Sequence, residues 1–248
     1  MLSRIPKAPK FTTPLLFVHG AWHGAWCWHK VSPLLQSRGH TVLTLDLPAL
    51  GVDRTPVQSV TLQSYADRVC ETLSACGEPV RLVGHSMGGI AITQAAEAMP
   101  DKIKMLVYLT AFLLPSGKTL LDIAQVDSEA KVLPNLVMAP DQSSAMVRDD
   151  VLEDVFYADC SPSDLALARS LLVPQASVPF ATPIQTTPGR WGAVPRVYIE
   201  CTEDHAISIA SQRSMHTLLP CSRVITMSTS HSPFLSAPQA LADHLLSL

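Results

Sequence analysis

Apolar residues in this chain fall into two alternating rhythms. Short continuous runs at Leu15-Leu16-Phe17-Val18, 41–45, Val80-Arg81-Leu82-Val83, 103–110, 196–201 and 223–227 have the length and composition of strands covered on both faces. Between them lie stretches with helical spacing. The stretch 61–76 sets Leu62, Tyr65, Val69 and Leu73 on one face and closes at Gly77 and Pro79. The stretch 28–38 stops at Gly39, and 90–99, 208–219 and 237–248 complete the series. Strand alternating with helix implies parallel strands joined by crossovers, with helices on both faces. The pattern therefore predicts an α/β chain built on a mostly parallel, doubly wound sheet.

The rhythm breaks over 111–191. This stretch is rich in proline, its expected helices (145–157 and 162–172) have no strand run between them, and its apolar 133–138 is bracketed by Pro134 and Pro140. It reads as a mainly helical cap inserted over the carboxyl edge of the sheet; the alternative is a second layer of ordinary packing helices. The resulting plan is an N-terminal arm at 1–13, a core from 14–110 and 192–248, and the cap at 111–191, in a single domain overall.

One strand run ends in Gly84-His85-Ser86-Met87-Gly88-Gly89 and leads into an alanine-rich helix. A G-x-S-x-G turn between strand and helix lifts its serine clear of the sheet as a nucleophile. It also places Ser86 at a helix N-terminus, where backbone N–H groups and the helix dipole favour developing negative charge. A serine hydroxyl needs an adjacent base, and that base an orienting acid, here expected beyond later strands in the order serine, acid, histidine. His231 sits in the loop after the last strand and is the expected base. Asp204, just past the strand ending at Cys201, is the expected acid, with Glu203 and Glu200 as rivals. Asp46 reads as a loop-capping carboxylate, and His205 and His216 as surface or cap-facing groups. Two N–H donors must face the oxyanion. One is that of Met87, directly after the nucleophile; the other is assigned to Ala21, where Gly20-Ala21 allows close backbone approach.

Composition narrows the partners. The chain has 248 residues, 47% hydrophobic and 16% charged, and a formal net charge of -3 with lysine and arginine scattered. That argues against nucleic acid or an anionic membrane surface. No run has transmembrane or signal-peptide character, so a cytoplasmic location is expected. The six cysteines show neither C-x-x-C pairing nor metal spacing, so reduced thiols are expected and no metal site. With no phosphate-cradling glycine loop after the first strand, no cofactor is expected either.

The run His19-Gly20-Ala21-Trp22-His23-Gly24-Ala25-Trp26-Cys27-Trp28 is highly specific. Together with the Ser86 motif, Ala111-Phe112, Cys160-Ser161-Pro162 and 197–204, it resembles the hydroxynitrile lyase and methylesterase branch of the α/β-hydrolases. That branch includes plant methyl salicylate and methyl jasmonate esterases and bacterial carboxylesterases such as pyrethroid hydrolases. The resemblance runs from Leu15 onward and is weakest around 127–150. It implies the α/β-hydrolase fold, a Ser86, Asp204, His231 triad and oxyanion donors at Ala21 and Met87. Cyanogenic lyases of this branch carry threonine where this chain has Gly20, and lysine after the catalytic histidine, where this chain has Ser232. The resemblance therefore implies a serine carboxylesterase acting on small esters; separately, the chain is expected to be a monomer or homodimer. The alternatives are a cyanohydrin lyase and a hydrolase-fold small-molecule receptor with little turnover. Gly20, Trp22, His85, Phe112 and Phe156 are the expected substrate contacts, with Leu136, Met138 and Phe180 as further pocket candidates and Trp26 and Trp28 as packing.

Overall fold

The computed structural model describes residues 13–248, so the expected arm at 1–13 lies outside the described residues save for Thr13. In chain order the strands are β1 (Leu15–Val18), β2 (Val42–Thr44), β3 (Val80–Ser86), β4 (Ile103–Ala111), β5 (Leu136–Met138), β6 (Ser144–Val147), β7 (Gln175–Ala176), β8 (Arg196–Cys201) and β9 (Arg223–Met227). Six of them form a central sheet in the order β2-β1-β3-β4-β8-β9, with every neighbouring pair parallel. All four side chains of β1 are fully buried, as are Leu82 and Val83 in β3. Such strands need no polar face because helices cover both sides.

The helices are α1 (Val31–Gln36), α2 (Leu62–Ala75), α3 (Gly88–Ala98), α4 (Leu120–Ala124), α5 (Leu152–Phe156), α6 (Pro162–Leu171), α7 (Val178–Ala181), α8 (Ile209–Leu218), α9 (Pro233–Ser236) and α10 (Pro238–Leu246). Helix α2 starts at a reciprocal cap: the Thr61 hydroxyl accepts from the Ser64 N–H, and the Ser64 hydroxyl accepts from the Thr61 N–H. Its face of Leu62, Tyr65, Val69 and Leu73 is buried, as the periodicity predicts.

From β1 the chain steps outward to β2, then crosses back over β1 to β3. Right-handed crossovers in opposite directions put their helices on opposite faces. Accordingly α1 packs with α10, and α2 with α3. The reversal of strand order opens a crevice beyond the carboxyl ends of β1 and β3, where open α/β sheets bind ligands.

The chain between β4 and β8 carries α4 to α7 and a second, antiparallel sheet in the order β5-β6-β7. The helix expected over 145–157 is thus corrected: Ser144–Val147 is a strand, and only Leu152–Phe156 is α-helical. A tight turn decides this. Asp141 Oδ1 accepts from the Ser143 N–H at 3.0 Å, and Gln142 adopts a φ of 60°, which turns the chain back along β5 before a helix can start. Pro134 and Pro140 flank β5 rather than interrupt it, and an edge strand tolerates them.

Candidate active site

Ser86 ends β3 and Gly88 opens α3, so the whole turn is made within Met87. Ser86 has a φ of 54°, a left-handed conformation that costs a non-glycine residue about 1–2 kcal/mol. Its neighbours are glycine because of close approach. A Cβ on Gly84 would lie 2.8 Å from the Gly88 carbonyl oxygen, and one on Gly88 would lie 2.7 Å from that of His19. The turn is thus wedged against the end of β1. Ser86 keeps 9% exposure, and among the described residues its hydroxyl enters no hydrogen bond.

Asp204 and His231 follow β8 and β9, the next strands on that side of the sheet after β4. Asp204 Oδ2 accepts from His231 Nδ1 at 2.7 Å and from the Thr110 hydroxyl. Its Oδ1 accepts from the N–H groups of Ala206 at 2.6 Å and Ile207 at 3.0 Å. A carboxylate oxygen accepts, so His231 Nδ1 carries a proton, and the neutral tautomer this bond selects has its lone pair on Nε2. Both side chains are shielded from water.

The rivals are occupied elsewhere. Glu200 is buried among Arg213, His216 and Thr226, and Glu203 is exposed. Asp46 caps the loop after β1, accepting from the Ala25 and Val52 N–H groups. His205 bonds Asp154 in the cap.

The loop after β1 faces the turn of Ser86. His19 Nδ1 donates to the Gly20 carbonyl at 2.8 Å, and its Nε2 accepts from the Leu47 N–H at 3.1 Å. In a trans peptide the carbonyl and the following N–H point oppositely, so this bond fixes the direction of the Ala21 N–H. Met87 precedes the first turn of α3, where helix N–H groups have no intrahelical acceptor.

A cavity opens between this loop and the cap, lined by Ser86, Ala21, Met87, Trp22, Phe112, Phe156 and Phe180 among others. Two expected contacts are corrected. His85 is fully buried; its Nε2 donates to the His231 carbonyl at 2.8 Å, so it packs behind the site rather than lining it. Gly20 presses on the nucleophile from the same side: a Cβ there would lie 2.8 Å from Ser86 Cβ. Leu136 and Met138 lie on the edge strand β5 away from the cavity, and Met138 is exposed. Trp28 is buried packing and Trp26 half-buried, as expected.

Burial pushes the pKa of His23 down to about 3 and those of His19 and His85 down as well, in each case chiefly by desolvation. These three rings are therefore neutral at neutral pH. All six cysteines are free thiols, and no metal-holding cluster occurs among the described residues. No helix of the described residues is long and apolar enough to cross a membrane.

Sequence reasoning missed Thr110. Its signal was position alone: it is the penultimate residue of β4, near the carboxyl edge of the sheet. Thr110→Val keeps the shape and removes a donor to Asp204. Losing a hydrogen bond to a charged group is worth about 1.5–3 kcal/mol, so kcat/KM for an ester is expected to fall at least about tenfold. Unchanged steady-state kinetics would show that Thr110 has no part in orienting the pair.

The chain is similar to known proteins over nearly its whole length. The alpha/beta hydrolase family profile matches residues 15–244. Methylesterase 2 of Arabidopsis thaliana is 35% identical over 94% of both chains. Salicylic acid-binding protein 2 of Nicotiana tabacum is also 35% identical, over 94% of this chain and 95% of that one. Among solved structures, polyneuridine aldehyde esterase superposes with a TM-score of 0.85 at 27% identity, covering 95% of this chain and 98% of that one.

Proposed function

Because the chain belongs to the alpha/beta hydrolase family, in its methylesterase-like branch, and is a carboxylic ester hydrolase, we propose that it cleaves small carboxylic esters through an acyl-enzyme on Ser86. His231 Nε2 takes the Ser86 proton as Oγ attacks the ester carbonyl. The carbonyl π electrons move onto oxygen, which the Ala21 and Met87 N–H groups receive. Collapse of this intermediate expels the alcohol, protonated by His231, and leaves the acyl group on Ser86. Water, deprotonated by the same histidine, then attacks the ester on Ser86, and the carboxylic acid leaves as the serine regains its proton. Asp204 holds the tautomer and stabilises the imidazolium. The 111–191 insertion supplies Phe112, Phe156 and Phe180 as the apolar walls of the substrate site.

The observation that carries this reading is the buried Asp204–His231 pair past the ends of β8 and β9, together with an unbonded Ser86 hydroxyl at the end of β3 that lines an apolar cavity. The described residues that line the cavity are apolar apart from Ser86, which suits a small uncharged ester. The test is steady-state hydrolysis of p-nitrophenyl esters of rising acyl length. Activity should peak at short acyl chains. Phe180→Ala should shift the optimum toward longer ones, each added methylene accommodated being worth about tenfold in kcat/KM. An optimum unmoved by the substitution would remove Phe180 from the acyl pocket. A single burst without turnover would mark a ligand-binding protein rather than an esterase.

A further inference from the structure

The cap segment from the last residue of α5, Phe156, to the start of α6 contains the Cys160-Ser161-Pro162 motif, yet the acyl-transfer reading uses only Phe156 of it. It touches both loops that the reading requires. We propose that residues 156–160 form a positioning strap, in which Tyr157 orders the oxyanion loop and Asp159 orders the loop of the general base. This rests on the assignment of Ala21 and His231 given above.

Tyr157 acts through His23. His23 Nδ1 lies 2.7 Å from the Ala21 carbonyl oxygen, and its Nε2 lies 2.7 Å from the Tyr157 hydroxyl. A carbonyl only accepts, so Nδ1 carries the proton, Nε2 is bare, and the tyrosine must donate. Two directional bonds thus run from the cap to the Ala21 carbonyl, while His19 holds the Gly20 carbonyl. Both peptide planes flanking Ala21 are fixed. Tyr157 and His23 are buried, and the depressed pKa of His23 keeps this arrangement through neutral pH. The loop needs external restraint because Trp22 has a φ of 62°. The cap supplies more of it: the Val173 N–H donates to the Trp22 carbonyl at 3.1 Å, and the Trp22 indole donates to the Ala145 carbonyl at 2.8 Å.

Asp159 acts on the other loop. Its carboxylate accepts from the Ser230 N–H at 2.9 Å and from the Ser230 hydroxyl, directly before His231. Cys160 Sγ lies 4.0 Å from the carbonyl oxygen of Ser232, directly after it. The strap thereby brackets His231 from the cap side, opposite the His85 bond to the His231 carbonyl. Phe156, the first strap residue, lines the cavity with its ring 5.6 Å from those of both His231 and Trp22.

The experiment is steady-state kinetics and thermal melting of Tyr157→Phe, His23→Asn, their double variant, and Asp159→Ala alone and combined with Tyr157→Phe, with Ser86→Ala alongside. The asparagine amide can still donate to the Ala21 carbonyl but offers no ring nitrogen to the tyrosine. Tyr157→Phe is expected to lower kcat about tenfold with KM within about twofold, the loss of one buried hydrogen bond felt in the transition state. In the His23→Asn background the same substitution should change nothing further. Asp159→Ala should lower kcat similarly, and its loss should multiply with that of Tyr157→Phe because the two act on separate loops. A tyrosine with a merely structural role would lower Tm and leave kcat intact. That outcome, or a loss that multiplies in the His23→Asn background, would overturn the proposal. Hydrolysis retained by Ser86→Ala would overturn the underlying reading, and the proposal with it.

Discussion

Ser86→Ala is expected to lower kcat for p-nitrophenyl acetate by about 10⁴- to 10⁶-fold while leaving the fold intact. Loss of the nucleophile removes the covalent route, and only the oxyanion donors and binding remain to accelerate attack by water. The hydroxyl makes no hydrogen bond among the described residues, so its removal leaves no buried partner unsatisfied. Melting temperature should therefore hold within a few degrees. Ser86→Gly should be equally inactive yet more stable than Ser86→Ala by about 1 kcal/mol, because the φ of 54° suits glycine and strains any residue with a Cβ. Turnover retained in the alanine variant would refute the assignment of the nucleophile. An alanine variant that no longer folds would show that the hydroxyl has structural partners beyond those seen.

The second large effect is loss of stability in mild acid. His19, His23 and His85 are neutral in the folded chain, their pKa values lowered by burial, in His23 to about 3. In the unfolded chain each takes up a proton near pH 6.5. Below that pH the unfolded state binds more protons than the folded one, so stability falls as pH falls. The loss continues until the folded rings titrate, which for His23 means down to about pH 3. His23 contributes up to about 1.4 kcal/mol per pH unit, so it withdraws up to about 3 kcal/mol between pH 6 and pH 4, and His19 and His85 add to the loss in the same direction. That is a large fraction of the whole stability of an ordinary domain. Asp53 and Asp164, whose pKa values hydrogen bonds pull down against burial's opposing effect, lose stability in the same direction. Urea midpoints measured from pH 7 to pH 4 should drop steeply below pH 6. A flat profile would mean that these rings take up protons in the folded state.

Much of this protein was legible before any coordinates. Continuous apolar runs separated by helical spacing specify parallel strands with covered faces, since a strand buried on both sides has no polar alternation to show. The serine turn was legible because its chemistry needs glycine at fixed offsets, and Gly84 and Gly88 meet their neighbours as that requirement predicts. Asp204 and His231 were identified from position alone, as polar residues just past strand ends in the right order, and they meet at 2.7 Å. What the chain could not announce depends on contacts between distant segments. The small sheet of the cap hid behind prolines and alanines, because a three-residue edge strand has too few positions to display a period. His85 looked like a substrate contact by its place beside the nucleophile, yet its ring turns inward to the His231 carbonyl, 146 residues away along the chain. Thr110 and Tyr157 carry no local pattern, and their roles exist only because folding brings β4 against Asp204 and the cap against His23. Local periodicity and turn chemistry determine which elements form and where the reactive groups lie along the sheet edge. Only tertiary packing decides which side chains hold them in place.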